Sequence, residues 1–276
     1  FFGKLRPKLD ELKEGFYYLT GMYDHNTAEL IITPEGVVKN IVFAEELIAS
    51  APKLKGWRFT ALKPEMGVED VNIEMAGFTF SNKNMHFIPV TNPEYPDEID
   101  ITIVHDDLND ENKSTIMNGT YVFLDNFLGE LNFVTNIDNL DVIGPEQSQR
   151  ELVPISKLKD YLVWRQKEFV EKYEGIRYST DSHSYAAMEA ELKNGMSLVA
   201  IVNTELLKWD RKASHPWLMT VEIKYNGDEN NGMPNEADYQ LMDEIENKIL
   251  DELKNADGYL NVGRETADSL RQVFFA

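Results

Sequence analysis

Two stretches of this chain hold side chains whose types and spacing could do chemistry. The first is His105 followed by Asp106, Asp107, Asn109, Asp110 and Glu111. Carboxylates gathered beside a histidine are the donors of hydrolytic divalent-metal sites, where the metal polarises a bond and activates water. Such a site needs three or more donors turned toward one point. Neither the spacing here nor a second nearby histidine supplies that set. The second stretch is the loop Asn226 to Gly232. Asn226, Asp228 and Asn230 fall at the first, third and fifth places of a calcium-binding loop, but the glycine arrives one residue late. The place of the closing bidentate glutamate holds Ala237. A strand, not a helix, precedes it, so the loop reads as a turn-rich connector.

Other catalytic signatures are missing. The five histidines, His25, His86, His105, His183 and His215, show no HExxH spacing, and no serine sits in a GxSxG elbow. There is no GxGxxG or Walker loop, and the absence of cysteine removes thiolate catalysis, disulfides and cysteine-held zinc. The sequence therefore assigns no catalytic residue, no metal ligand and no cofactor.

The elements that would position these stretches follow from periodicity. Leu5, Leu9 and Leu12 mark a short amphipathic helix. Phe16 to Tyr23 and Ala28 to Gly36 form a hairpin around Asp24-His25-Asn26. Ile41, Ala44, Leu47 and Ile48 share a helical face that Ala51-Pro52 ends, and Trp57, Phe59 and Ala61 alternate in a strand. Further strands are expected at VNIEM (71–75), FTF (78–80), MHFIPV (85–90) and EIDITIV (98–104). In the last, Ile99, Ile101 and Ile103 would face a core and Asp100 and Thr102 would face away. A helix over Thr115 to Leu128 would bury Ile116, Val122, Phe123 and Phe127, with strand pieces following at ELNFVTN (130–136) and IDNLDVIG (137–144). Pro154 to Tyr173 is a helix with Leu158, Tyr161, Leu162, Arg165, Phe169 and Tyr173 in a stripe, and the boundary between two domains is placed after it.

The second domain opens with a hairpin, Tyr185 to Leu192 and Met196 to Asn203, around Lys193-Asn194-Gly195. Trp217 to Tyr225 is its third strand. Gly232-Met233-Pro234 then leads into an acidic helix capped by Asn235, with Met242, Ile245, Ile249 and Leu253 on its packed side. Strands at Tyr259 to Val262 and Arg271 to Phe275 complete it. Trp57, Trp164 and Trp217 are expected to anchor cores. The fold class is α+β, with domains at 1–174 and 175–276, each an antiparallel or mixed sheet with helices on one face. The start without Met and the stop inside VFFA suggest residues missing at both ends.

Charge narrows the partners. Twenty-seven Lys and Arg stand against 48 Asp and Glu, a formal net charge of -21. Phosphate binding relies on clustered cations, which this chain lacks, so nucleic acid and anionic membrane surfaces are poor partners. The acidic surface favours solubility, and more sharply a basic protein partner. The candidate docking face is the outer side of the acidic helix: Glu236, Asp243, Glu244, Glu246, Asp251 and Glu252.

His215-Pro216-Trp217, Gly232-Met233-Pro234 and Arg271-Gln272-Val273-Phe274-Phe275 resemble the bacterial domain-of-unknown-function family numbered 695. Ala51-Pro52, Gly56-Trp57-Arg58-Phe59 and Leu128-Gly129-Glu130 are similar to the domain that often precedes it. The resemblance implies no reaction and no catalytic residues. Some relatives are joined to a domain similar to a protein regulator of ribonuclease E, which implies regulation by protein binding. The leading expectation is a cytoplasmic, non-catalytic binding or regulatory protein. The alternatives are a hydrolase with a carboxylate-rich divalent-metal site and a small-molecule sensor with an interdomain pocket.

Overall fold

Leu5 and Leu9 turn the same side of helix α1 (Phe2–Leu12) onto the first core, and Leu9 is buried there. This is a computed structural model describing residues 2–148, 150–176, 178–207 and 209–276. The chain divides into one unit of residues 1–92 and 98–165 and another of residues 93–97 and 166–276.

In the first unit, β1 (Tyr17–Asp24) and β2 (Thr27–Thr33) form the expected hairpin. After α2 (Ile41–Ala49), strand β3 (Trp57–Ala61) joins β2 in parallel, giving the order β1-β2-β3. Leu9, Phe16, Leu30, Ile32, Ile41, Ala44 and Leu62 are the buried core of this part. A small hairpin, β4 (Ile73–Met75) and β5 (Phe78–Phe80), precedes β6 (Met85–Val90) and β7 (Asp100–His105). Next come helices α3 (Lys113–Leu128) and α4 (Glu130–Thr135), strands β8 (Asn139–Ile143) and β9 (Val153–Pro154), and helix α5 (Leu158–Lys172), which belongs to this unit up to Arg165. The sheet order is β8-β7-β6-β9, with β7 and β8 parallel and the other pairs antiparallel. Its core holds Phe80, Phe87, Phe123 and Phe127, each fully or almost fully buried, where each such ring stabilises the fold by about 1.5–3 kcal/mol.

The second unit is a five-stranded antiparallel sheet. Its strands are β10 (Tyr185–Glu191), β11 (Ser197–Asn203), β12 (Met219–Lys224), β13 (Asn261–Ala267) and β14 (Leu270–Phe275), in the order β10-β11-β13-β14-β12. Helix α6 (Glu236–Glu252) connects β12 to β13. Met242, Leu260, Val273 and Phe275 are buried apolar side chains of this unit. The architecture is α+β, with helices and several sheets.

Several expectations need correction. ELNFVTN is helix α4, not strand. Its Leu131 and Val134 pack on the first core and Phe133 on the second, so a helical turn serves two cores where a strand could face one each way. Asp100 does not face solvent. It is buried in the central strand β7 and accepts from Asn139 Nδ2 at 2.8 Å across the parallel register. Val122 is exposed, and Leu124, Gly119 and Thr120 complete the buried side of α3 in its place. Strand β13 runs to Ala267, because the polar run after Val262 pairs fully with both neighbours.

Trp217 is 74% exposed, since it lies just before edge strand β12 and outside its pairing with β14. Trp164 is 58% exposed, off the α5 stripe of Leu158 and Leu162. Trp57 is half-buried against the first core, as expected.

Candidate functional site

Helix α6 carries the candidate face, and its start is built as the sequence implies. Asn235 caps it by accepting from the Asp238 amide at 2.9 Å. Gly232 adopts φ +80°, with its carbonyl receiving the Tyr225 hydroxyl at 2.7 Å and the Ser269 amide at 2.9 Å. A Cβ on Gly232 would lie 3.0 Å from the Asp268 amide nitrogen, so the close approach of this loop to the β13–β14 turn requires glycine. The two asparagine side chains at the calcium-like places bond within the loop itself, as a turn-rich connector requires. Asn226 Oδ1 accepts from the Asp228 amide, and Asn230 Nδ2 donates to Pro234 O.

The six carboxylates assigned to one docking face fall into two sets. Glu236, Glu244, Asp251 and Glu252 are exposed, and no ion pair among the described residues involves them. Asp243 and Glu246 face the sheet instead. Arg271, 1% exposed, donates from Nη1 to Asp243 Oδ1 at 2.7 Å and to Glu246 Oε2 at 3.2 Å, and from Nε to Thr266 Oγ1 at 3.2 Å. Its guanidinium also lies over the Tyr239 ring. Arg264 bonds Glu246 Oε2 at 2.5 Å and sits 3.5 Å from Asp243. Burial opposes the charge on Arg264, but the bond and field of Glu246, with Asp243 and Tyr239 adding, outweigh it and raise its pKa.

This network cancels its own charge and holds α6 to β13 and β14. Sequence reasoning missed it. The available signal was Arg271 opening an apolar strand and two acids one turn apart, Asp243 and Glu246, just after the buried Met242. An arginine inside such a run has to bring its counter-ions with it.

A second polar cluster lies around Arg211. Its guanidinium stacks over Tyr173 and Tyr178 and donates to Ile176 O at 2.7 Å. Tyr178 contacts His183 Nε2 at 2.9 Å, His183 Nδ1 accepts from Asn203 at 2.8 Å, and Asn203 donates onward to Asn261 O. Both His183 nitrogens are thus committed. Trp209 meets Tyr178 and His215 in tilted ring contacts, with centroids 5.3 and 5.1 Å away. Trp209 Nε1, Arg211 Nε, His215 Nδ1 and both Asp97 oxygens make no well-formed hydrogen bond among the described residues. Lys212 Nζ lies 3.8 Å from Asp97; burial pushes the Asp97 carboxyl pKa up.

The loop after β7 shows a comparable economy. His105 is buried, with Nε2 donating to Thr79 O at 3.0 Å and Nδ1 accepting from the Asp107 amide at 3.2 Å, roles assigned from these partners. Asp106, Asp107, Asp110 and Glu111 are exposed. Asn109 and Asn112 organise the loop by mutual bonds and by Asn112 Nδ2 donating to Asp107 O. Among the described residues no three His, Cys, Asp or Glu converge in a way that could hold a metal ion.

Residues 190–276 match the family of unknown function DUF695. The DUF695 segment contains β11 to β14, α6 and all four members of the arginine–carboxylate network. It also includes the three motifs on which the resemblance rests. No curated protein and no solved structure matches the chain. No helix among the described residues is long and apolar enough to cross a membrane.

Proposed function

We propose that the chain is a cytoplasmic, non-catalytic binding protein that docks a basic protein surface through the outward carboxylates of α6. The observation that carries this reading is the sorting of acids on that helix. Asp243 and Glu246 are neutralised by Arg271 and Arg264, while Glu236, Glu244, Asp251 and Glu252 are exposed. The inward set fixes the helix on the sheet, so the outward set is presented on a rigid element. The net charge of -21 adds long-range attraction for a basic partner and raises its association rate.

The test is retention of partners on the immobilised chain at low salt. Reversing Glu236, Glu244, Asp251 and Glu252 to Lys should abolish retention, with circular dichroism confirming that the fold is kept. Reversing the exposed Glu189 and Glu191 of β10 should leave most of it. An unchanged set of retained proteins on the α6 variant would sink this reading.

A further inference from the structure

The motifs Ala51-Pro52 and Trp57-Arg58-Phe59 have no part in the α6 reading, yet they meet at one place. A cleft of about 410 Å³ opens between the end of α2 and β3, lined by Ile48, Lys53, Leu54, Lys55, Trp57 and Phe59 together with Ala51 and Pro52. Its floor is aromatic. Trp57 and Phe59 alternate on one side of β3, with ring centroids 6.2 Å apart and planes within 11° of parallel. Arg58 points the other way, paired with Glu29 at 3.1 Å and stacked over Tyr23. The rim is basic and apolar: Lys53 and Lys55 are exposed, as is half of Leu54. Neither lysine is in an ion pair among the described residues.

The walls are fixed before any ligand arrives. The Ala51 amide donates to Ile48 O and the Trp57 amide to Leu54 O, each at 3.1 Å, and Gly56 O receives the Ala28 amide at 2.9 Å. Pro52 stiffens the segment between them. A pinned cleft of this kind loses little entropy on binding.

Charge says what covers it. Residues 1–63 contain nine Lys and Arg against eight Asp and Glu, leaving 18 against 40 in residues 64–276. The cleft therefore sits in a near-neutral stretch of a strongly acidic chain, with two exposed cations at its mouth that form no ion pair among the described residues. We infer that the α2–β3 cleft binds an acidic peptide segment of another protein. Its carboxylates meet Lys53 and Lys55, and an apolar or aromatic side chain between them packs on Leu54, Trp57 and Phe59. The cleft is open rather than enclosed, which suits an extended segment better than a small molecule.

The probe is a short fluorescein-labelled peptide alternating Glu with Leu and Phe, read by anisotropy on the full chain at low and physiological salt. Binding is expected for the wild type and should weaken with salt. It should fall by about tenfold or more in Lys53→Glu/Lys55→Glu, because two attractive contacts become repulsive. Leu54→Ser, an exposed change that leaves the core alone, should weaken it further without changing the salt dependence. Three results overturn the inference: no binding at low salt, equal binding of a peptide with Gln in place of Glu, or equal binding by the lysine double variant. Self-association that blocks the probe and is lost in the double variant would overturn it in favour of a second copy of this chain.

Discussion

Glu130 Oε1 accepts the Thr33 hydroxyl at 2.7 Å, joining residues 97 positions apart inside the first unit. The same oxygen receives the Gly36 amide at 2.9 Å, and Oε2 receives the Lys63 amide at 3.1 Å. Glu130 is fully buried, and so it ties the ends of β2 and β3 to the start of α4. Glu130→Ala leaves three donors without their acceptor and should destabilise the first unit by about 3–5 kcal/mol, with Glu130→Gln costing less. Urea midpoints measured by circular dichroism check this. A midpoint within error of wild type would show that water replaces the carboxylate at no cost.

Gly119 gives a prediction of opposite sign to the ordinary helix rule. Glycine to alanine inside a helix usually stabilises by about 0.5–1 kcal/mol. A Cβ on Gly119 of α3 would sit 2.0 Å from Cζ of the buried Phe80, too close for any real contact. Gly119→Ala should therefore destabilise by about 1–3 kcal/mol as the ring is displaced. Gly119→Ala combined with Phe80→Leu should recover part of that loss, which thermal melts of the two variants would show.

The periodic elements were legible in the sequence because they obey one repeat over one face. The β1–β2 hairpin, the α2 stripe at Ile41 and Ala44, the Asn-Gly hairpin of β10 and β11, and the Asn235 cap all belong to that class. What escaped were positions where the local pattern and the tertiary partner disagree. Six residues of α4 are too few to separate a period of 2 from one of 3.6 when both sides are covered. Asp243 and Glu246 read as solvated acids because their partners, Arg264 and Arg271, lie on strands 18 to 28 residues away. The buried Glu130 gave no sign beyond its place in Leu128-Gly129-Glu130, since its three donors come from segments far upstream.

Arg271 should prove the most sensitive charge of the second unit. Replacing it with Met removes the bonds to Asp243, Glu246 and Thr266 and leaves two carboxylates sharing Arg264. A loss of about 3–5 kcal/mol is expected, as for one partner removed from a buried pair. Replacing Arg271 and Glu246 together by Met should cost less than the sum of the two single changes, because apolar contact then substitutes for the ionic one. Additive losses in that cycle would show that the two residues act independently.

His105 sets a pH dependence. Burial lowers its folded pKa below the ordinary 6.5, a shift that the Thr79 carbonyl and the fields of Asp107 and Asp106 only partly oppose. The unfolded chain therefore binds this proton more readily than the folded one. The stabilising contribution of neutral His105 is complete above pH 6.5 and is lost as pH falls through the lowered folded value. The geometry agrees: protonation would place a second N–H at Nδ1, against the Asp107 amide that now donates to it. His105→Gln keeps a donor and an acceptor but cannot titrate, so its urea midpoint should fall less than that of wild type between pH 7.5 and pH 5. The carboxylates, including the burial-raised Asp97 and Asp125, titrate alike in both proteins and cancel in the comparison. Parallel pH profiles for the two proteins would mean that folded His105 takes up its proton as readily as the unfolded chain does, its ring rearranging to accept it without loss.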